Sequence, residues 1–190
     1  MKYLLPSAAV VLAALLLAGI PTTAQDTGPA AAATWQAVLA RELPRLGHRN
    51  FIVIADSAYP LQSAPGIQTI ATGAGHIEVL RTVLAAIEKA EHVRPVIHLD
   101  KELRFVTEEA APGIGALRDH IAAALGDDKP VELPHMDIIR KLDESAELFN
   151  VLILKTTLAL PYTSVFIELD CGYWSAEKEA ALRRAMEAAE

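Results

Sequence analysis

LPRLGHRNFIVIADSAYP, residues Leu43–Pro60, is the stretch whose reading decides the fold. Phe51–Ala55 run apolar without a polar break, the pattern of a strand buried on both faces of a sheet. Ahead of them the turn Leu46-Gly47-His48-Arg49-Asn50 presents a histidine. Behind them Asp56 stands where the run stops, and Ser57–Pro60 turn the chain away. A buried strand with an ionisable group at each end is the frame of a site.

Working outward, strand and helix patterns alternate. Thr34–Leu43 read as a short helix with Thr34 as N-cap and Trp35, Val38, Leu39 and Leu43 at helical spacing. Gly66–Ala71 form a second, shorter strand, broken by Thr72-Gly73-Ala74-Gly75. From His76 to Ala90, Ile77, Leu80, Leu84 and Ile87 mark one helix face. Pro95–Leu99 read as a strand that Glu102–Val106 continue. Pro112-Gly113 then open a helix through Leu125 that Gly126-Asp127-Asp128 end. A short strand at Val131–Leu133 and a helix over His135–Phe149 follow, then strands at Val151–Leu154 and Ser164–Leu169. Ser175 caps a last helix, Ala176–Ala189, with acids early and Arg183 and Arg184 late, as its dipole favours. This alternation predicts a single α/β domain over residues 34–190, three layers deep, with a mainly parallel central sheet and an extra C-terminal helix (175–189).

The first 24 residues have the make-up of a secretory signal peptide. Lys2 supplies a positive start, Tyr3–Ile20 an apolar stretch, and Pro21-Thr22-Thr23-Ala24 small residues ahead of cleavage after Ala24. Cleavage leaves no stable membrane insertion, places the protein in a periplasm or outside the cell, and makes Gln25–Ala33 a flexible leader. An uncleaved anchor is the competing reading, because the apolar stretch is nearly long enough to span a bilayer.

A net charge of −7 with no Lys/Arg cluster excludes a nucleic-acid surface. The single cysteine, Cys171, excludes an intrachain disulfide and a four-cysteine zinc site, and reads as a packed or idle thiol. No P-loop, GxGxxG, GxSxG or HExxH is present. What remains are polar residues at strand ends and helix starts: His48, Asp56, His98 with Asp100, His135, and the Tyr162–Ser164 segment. Each also has a structural reading. His48 suits a turn that bonds to backbone, Asp56 an Asx cap, His98 a satisfied core histidine, His135 a helix-start residue, and Tyr162 an aromatic plug.

Two motifs carry a resemblance. Leu46-Gly47-His48, the apolar Ile52-Val53-Ile54, then Asp56 and Pro60 resemble the opening of the D-ribose pyranase / L-fucose mutarotase family, the RbsD/FucU-like proteins. Pro161-Tyr162-Thr163-Ser164 ahead of Val165-Phe166-Ile167 is similar to the family's Pro-Tyr-x-Asn segment, and Leu133-Pro134-His135 to its helix-start histidine. The resemblance implies that His48 is the catalytic proton donor, that Asp56, His135, Tyr162 and Ser164 bind a monosaccharide, and that no metal or other cofactor takes part. It also implies a ring-shaped homo-oligomer with sites at subunit interfaces. Ser164 stands where asparagine is usual, the segment before Tyr162 is longer, and residues 171–190 form a tail that the family lacks.

The chemistry suits these residues. Interconverting anomers or ring forms opens a hemiacetal: one group protonates the ring oxygen while another takes the anomeric hydroxyl proton. A histidine, ordinarily titrating near pH 6.5, serves either role. Spacing adds a constraint. Eight residues of strand at about 3.3 Å each put His48 and Asp56 roughly 20–26 Å apart, too far for one monosaccharide to bridge. Either the chain bends at Arg49–Asn50 or a neighbouring subunit shares the pocket. Two other classes stay open: an exported carbohydrate-binding protein without catalysis, and a metal-dependent hydrolase built on His98, Asp100 and His135. Tyr173-Trp174 would seal an oligomer interface or stack on a ligand.

Overall fold

The structure is a computed structural model and describes residues 34–189; the expected signal peptide and leader lie outside the described residues. The strands are β1 (Phe51–Ala55), β2 (Ile67–Ala71), β3 (Val93–Asp100), β4 (Val131–Leu133), β5 (Val151–Lys155) and β6 (Val165–Cys171). They form one sheet in the order β2-β5-β1-β6-β3-β4. The helices are α1 (Trp35–Glu42), α2 (His76–Glu88), α3 (Ile114–Leu125), α4 (His135–Leu148) and α5 (Ala176–Glu187).

β1 is the middle of the molecule, and all five of its residues are buried. Alternation sends Ile52 and Ile54 into the larger core with α1, α2 and α3, and Phe51, Val53 and Ala55 into a smaller core under α4. Fully burying each of Ile52, Val53 and Ile54 contributes about 1.5–3 kcal/mol relative to exposure. The expected three-layer arrangement is therefore present: helices on both faces of a two-sided sheet.

Strand direction sharpens the expectation. β1, β2 and β5 run parallel, as do β3 and β4, but β6 is antiparallel to both of its neighbours, β1 and β3. The reason lies in the connection. Only nine residues, 156–164, join β5 to β6, whereas a parallel crossover takes a dozen or more. The chain therefore turns back at the same edge of the sheet. Because β5 and β6 flank β1, this loop has to pass over the end of β1, and it is fastened there. Thr156 N and Oγ1 both donate to the Ala55 carbonyl (2.8 and 2.9 Å), and Ser57 N donates to the Leu158 carbonyl (2.7 Å).

Other boundaries differ slightly. Thr34 caps α1 by accepting from Ala37 N at 3.2 Å, and the chain then tightens into a 3-10 turn, Leu43–Arg45. Lys101–Phe105 is also a 3-10 turn rather than a continuation of β3. Ser175 caps α5, which buries none of its side chains, and Tyr173 and Trp174 before it stay exposed. Cys171 is a free thiol of intermediate burial. Among the described residues no helix is long and apolar enough to cross a membrane.

Gly66 opens β2 against the end of α4, where an added Cβ would meet the carbonyl oxygens of Ala146 and Phe149, each at 2.6 Å. Gly66→Ala is expected to lower the unfolding free energy by about 1–3 kcal/mol, the usual cost of overpacking against atoms that cannot move aside. Urea denaturation measures this; an unchanged midpoint would show that β2 and α4 separate freely here.

Candidate functional site

Five strands end at one edge of the sheet, and β6, running the other way, begins there. Parallel strands with helices on both faces ordinarily place a site outside their carboxyl ends. Asp56 follows β1, Asp100 closes β3, Thr156 follows β5, and Ser164 precedes β6. His76 opens α2 from one layer and His135 opens α4 from the other.

Asp56 is fixed from two sides. Its Oδ1 accepts from Ala58 N at 2.8 Å, an Asx turn, and its Oδ2 accepts from Ser164 Oγ at 3.1 Å. Ser164 Oγ in turn accepts from Asp56 N at 3.3 Å. His135 is also held twice. Its backbone N–H points between the two Glu102 oxygens, 3.0 Å from each, and its Nδ1 lies 3.0 Å from Asp100 Oδ1. The Tyr162 ring meets the His135 ring edge-on, with centroids 5.5 Å apart. Tyr162 sits at φ 57°, a left-handed conformation that a non-glycine residue seldom adopts and that sites often hold.

Asp100 is buried, and its Oδ2 has no hydrogen-bond partner among the described residues. Burial pushes its carboxyl pKa up, against the hydrogen bond and charge of His135, and the charges of Glu102 and Asp56 push it further. Beneath the site lies buried Tyr59, whose ring neighbours Phe166 at 6.4 Å. Burial first, then the charges of Asp143, Asp100 and Asp56, hold its phenol well above the ordinary range, so it stays protonated. No Lys or Arg side chain pairs with Asp56 or Asp100 among the described residues. The site is acidic and suits a neutral ligand rich in hydroxyl groups.

His76 is the group that sequence reasoning missed, taking it only as a helix start. It is buried, and its Nδ1 lies 3.2 Å from Thr156 Oγ1. The Thr156 hydroxyl hydrogen already serves the Ala55 carbonyl. Its oxygen is therefore placed to accept from His76 Nδ1–H, while Nε2 has no hydrogen-bond partner among the described residues. Glu102 was also missed, while Asp100 and His135, grouped in sequence only with His98 as a metal set, are joined by a direct contact, since only folding brings residues 33 and 35 positions apart together. An acid closing a buried strand was the one available signal, and Asp100 carried it.

His48 lies at the opposite edge, before β1. Arg49 does bend the turn (φ 73°), and Gly47 N donates to Asn50 Oδ1 at 2.7 Å, but the bend points His48 away from Asp56. Its Nε2 is 3.4 Å from Asp170 Oδ1 at the end of β6, and its side chain is 60 % exposed. Arg94 pairs with the same carboxylate. The chain thus brings Asp56, His135, Tyr162 and Ser164 to one edge and leaves His48 at the other.

The hydrolase set is split as well. His98 Nε2 meets Glu168 Oε2 at 3.0 Å, and Lys141 reaches the same oxygen at 3.1 Å, while Asp100 belongs to His135. Among the described residues no three His, Cys, Asp or Glu side chains are grouped to hold a metal ion. Clefts of about 470 Å³ (Arg81, Leu84, Pro95), about 420 Å³ (His48, Asp170, Trp174) and about 400 Å³ (Pro65, Ala146, Phe149) lie away from this edge, and one of about 270 Å³, lined by Leu103, Ile121 and Leu125, reaches Asp100 from the α3 side. The shared edge is an open shelf.

No protein-family model matches the sequence, and neither does any curated protein. Solved structures do. RbsD from Bacillus subtilis complexed with D-ribose matches at TM-score 0.51 and 15 % identity, over 70 % of this chain and 91 % of that one. A fucose mutarotase from Streptococcus pneumoniae in complex with L-fucose matches at 0.47 and 21 %, over 70 % and 91 %. FucU from Bifidobacterium longum matches at 0.47 and 17 %, over 70 % and 92 %. The first likeness establishes the fold, the mixed α/β arrangement of RbsD.

Burial pulls the His76 pKa from 6.5 down to about 4, against the opposing charge of Asp56. Between those values the unfolded chain binds a proton that the folded chain refuses, so stability falls as pH falls through that window, by roughly 3 kcal/mol. His76→Gln is expected to remove this part of the slope. Urea midpoints between pH 7 and pH 4 measure it, and the same slope in both proteins would assign the loss to other groups.

Proposed function

We propose that the protein is an exported sugar mutarotase or pyranase-like isomerase that opens and recloses the hemiacetal of a free monosaccharide. The observation that carries this reading is the meeting of Asp56, His135, Tyr162 and Ser164 at one sheet edge, although 108 residues separate Asp56 from Ser164. Paired carboxylates and neutral hydroxyls accept and donate to sugar hydroxyl groups, and the Tyr162 ring offers a surface to an apolar sugar face. The acidic surroundings favour an unphosphorylated sugar, because a phosphate would meet Asp56 and Asp100 without a paired cation.

His48 enters this reading through a second copy of the chain. The open shelf of one subunit receives the exposed His48 of its neighbour, which protonates the ring oxygen; residues from both copies make each site. Such an arrangement is head-to-tail and closes into a ring. The reading includes export by the N-terminal segment, with the mature chain starting at Gln25; intact mass of the exported protein checks that start.

A non-catalytic sugar-binding protein is the second reading, and one observation favours it. The Ser164 hydroxyl is already engaged twice by Asp56, which leaves it less free for a ligand.

Anomer exchange across a panel of monosaccharides, followed by saturation-transfer NMR, separates the two. The first reading expects accelerated exchange that drops about 10²–10⁴-fold in His48→Ala; binding without acceleration would select the second. Mixing tests the shared site. His48→Ala and Asp56→Ala subunits, each inactive alone, should recover about a quarter of wild-type activity when randomly reassembled, because one site in four draws both intact residues. No recovery, or a fully active monomer in sedimentation, would sink the two-copy site.

A further inference from the structure

We propose that Asp100 is a positioning residue that sets the tautomer of His135 and thereby makes His135 Nε2 the base that takes the anomeric hydroxyl proton. The inference rests on the mutarotase reading and deepens it, supplying the second proton-transfer group beside His48.

Four observations converge on it. The Asp100 Oδ1–His135 Nδ1 contact is 3.0 Å, and the carboxylate side chain is 1 % exposed, so water does not compete for it. Leu99 and Asp100 end β3 in register with Glu132 and Leu133 of β4, which fixes the carboxylate against the chain leading into α4. The His135 backbone N–H is taken by Glu102, so neither the main chain nor Nδ1 is free for a ligand. Nε2 is then the ring nitrogen of His135 without a partner among the described residues, on a side chain 34 % exposed beside the Tyr162 ring. A carboxylate accepts, so the shared hydrogen belongs on Nδ1, and Nε2 presents a lone pair to the shelf.

The step balances with the groups named. Nε2 takes the proton of the anomeric hydroxyl, and the freed O–H pair forms the carbonyl at C1. The C1–O5 bond breaks with its electrons going to O5, which takes a proton from His48 of the neighbouring copy. Reclosure on the other carbonyl face runs the same transfers backwards. As His135 becomes an imidazolium, buried Asp100 stabilises its charge without entering the chemistry.

The test reads the tautomer and the rate separately. In the wild-type protein, ring ¹⁵N chemical shifts of His135 are expected to show the Nδ1–H form predominating when the ring is neutral; a predominant Nε2–H form overturns the proposal without any variant. Asp100→Asn is expected to shift the population toward Nε2–H and to lower kcat for anomer exchange about 10²-fold or more, with KM for the same sugar within about threefold of wild type. Asp100→Glu is expected to recover part of both. An Asp100→Asn protein that keeps the Nδ1–H form and the wild-type kcat overturns the proposal. If wild-type protein accelerates exchange of no sugar, the mutarotase reading fails, and the ¹⁵N measurement still decides what Asp100 does to His135.

Discussion

One residue of β6 ties the molecule together. Val165 pairs with Ile54 of β1 on one side and with Leu99 of β3 on the other. Carried one step further, the same register sets Ser164 across from Ala55 and from Asp100, within reach of Asp56. A shift by one residue would turn the alternating Val165, Ile167 and Leu169 out of the larger core and into the α4 side. The apolar packing of β6 therefore holds the polar edge in place. Buried apolar contacts in the sheet decide where two carboxylates and a hydroxyl stand.

Along the α4 face, acids are treated differently by position. Glu168, midway along β6, is held below the usual carboxylate range by its hydrogen bond to His98, with burial opposing and Lys141 adding to the fall. Asp100, at the edge, is pushed up by burial first and then by neighbours of its own sign, against one histidine. The first acid is neutralised where the structure needs rigidity. The second is left short of positive partners where a ligand could supply hydroxyl hydrogens. Asp170, at the other edge, is lowered: burial resists, and the Cys171 amide, Arg94 and His48 prevail.

Much of this was legible in the residues. The unbroken Phe51–Ala55 run announced a two-sided sheet because only helices on both faces could bury all five side chains. The Leu46-Gly47-His48 and Pro161-Tyr162 motifs marked the loops at either end of that sheet. The direction of β6 was also readable in principle, since nine residues are too few to carry the chain back across the sheet. Other features were not. The partners of His135 depend on how β3, the Lys101–Phe105 turn and α4 meet, and no local pattern encodes that meeting. His76 looked like a helix start because a short Thr-Gly-Ala-Gly lead-in gives no sign that Thr156 waits 80 residues away. The separation of His48 from Asp56 followed from strand length alone; the Arg49 bend does not close it and turns the histidine toward Asp170.

The place of β6 in the chain has a kinetic meaning. β1 and β3 are not neighbours; each gains its second partner only when the strand ending at Cys171 slides between them. Until then the nascent chain carries two unjoined half-sheets with bare apolar edges, and the loop bearing Tyr162 lacks the strand that anchors its far end. Contacts spanning more than 100 residues also close slowly, because loop entropy is lost before packing compensates it. The native sheet is thus withheld until β6 has been made. Its last strand to arrive is the one that assembles both the core and the shelf.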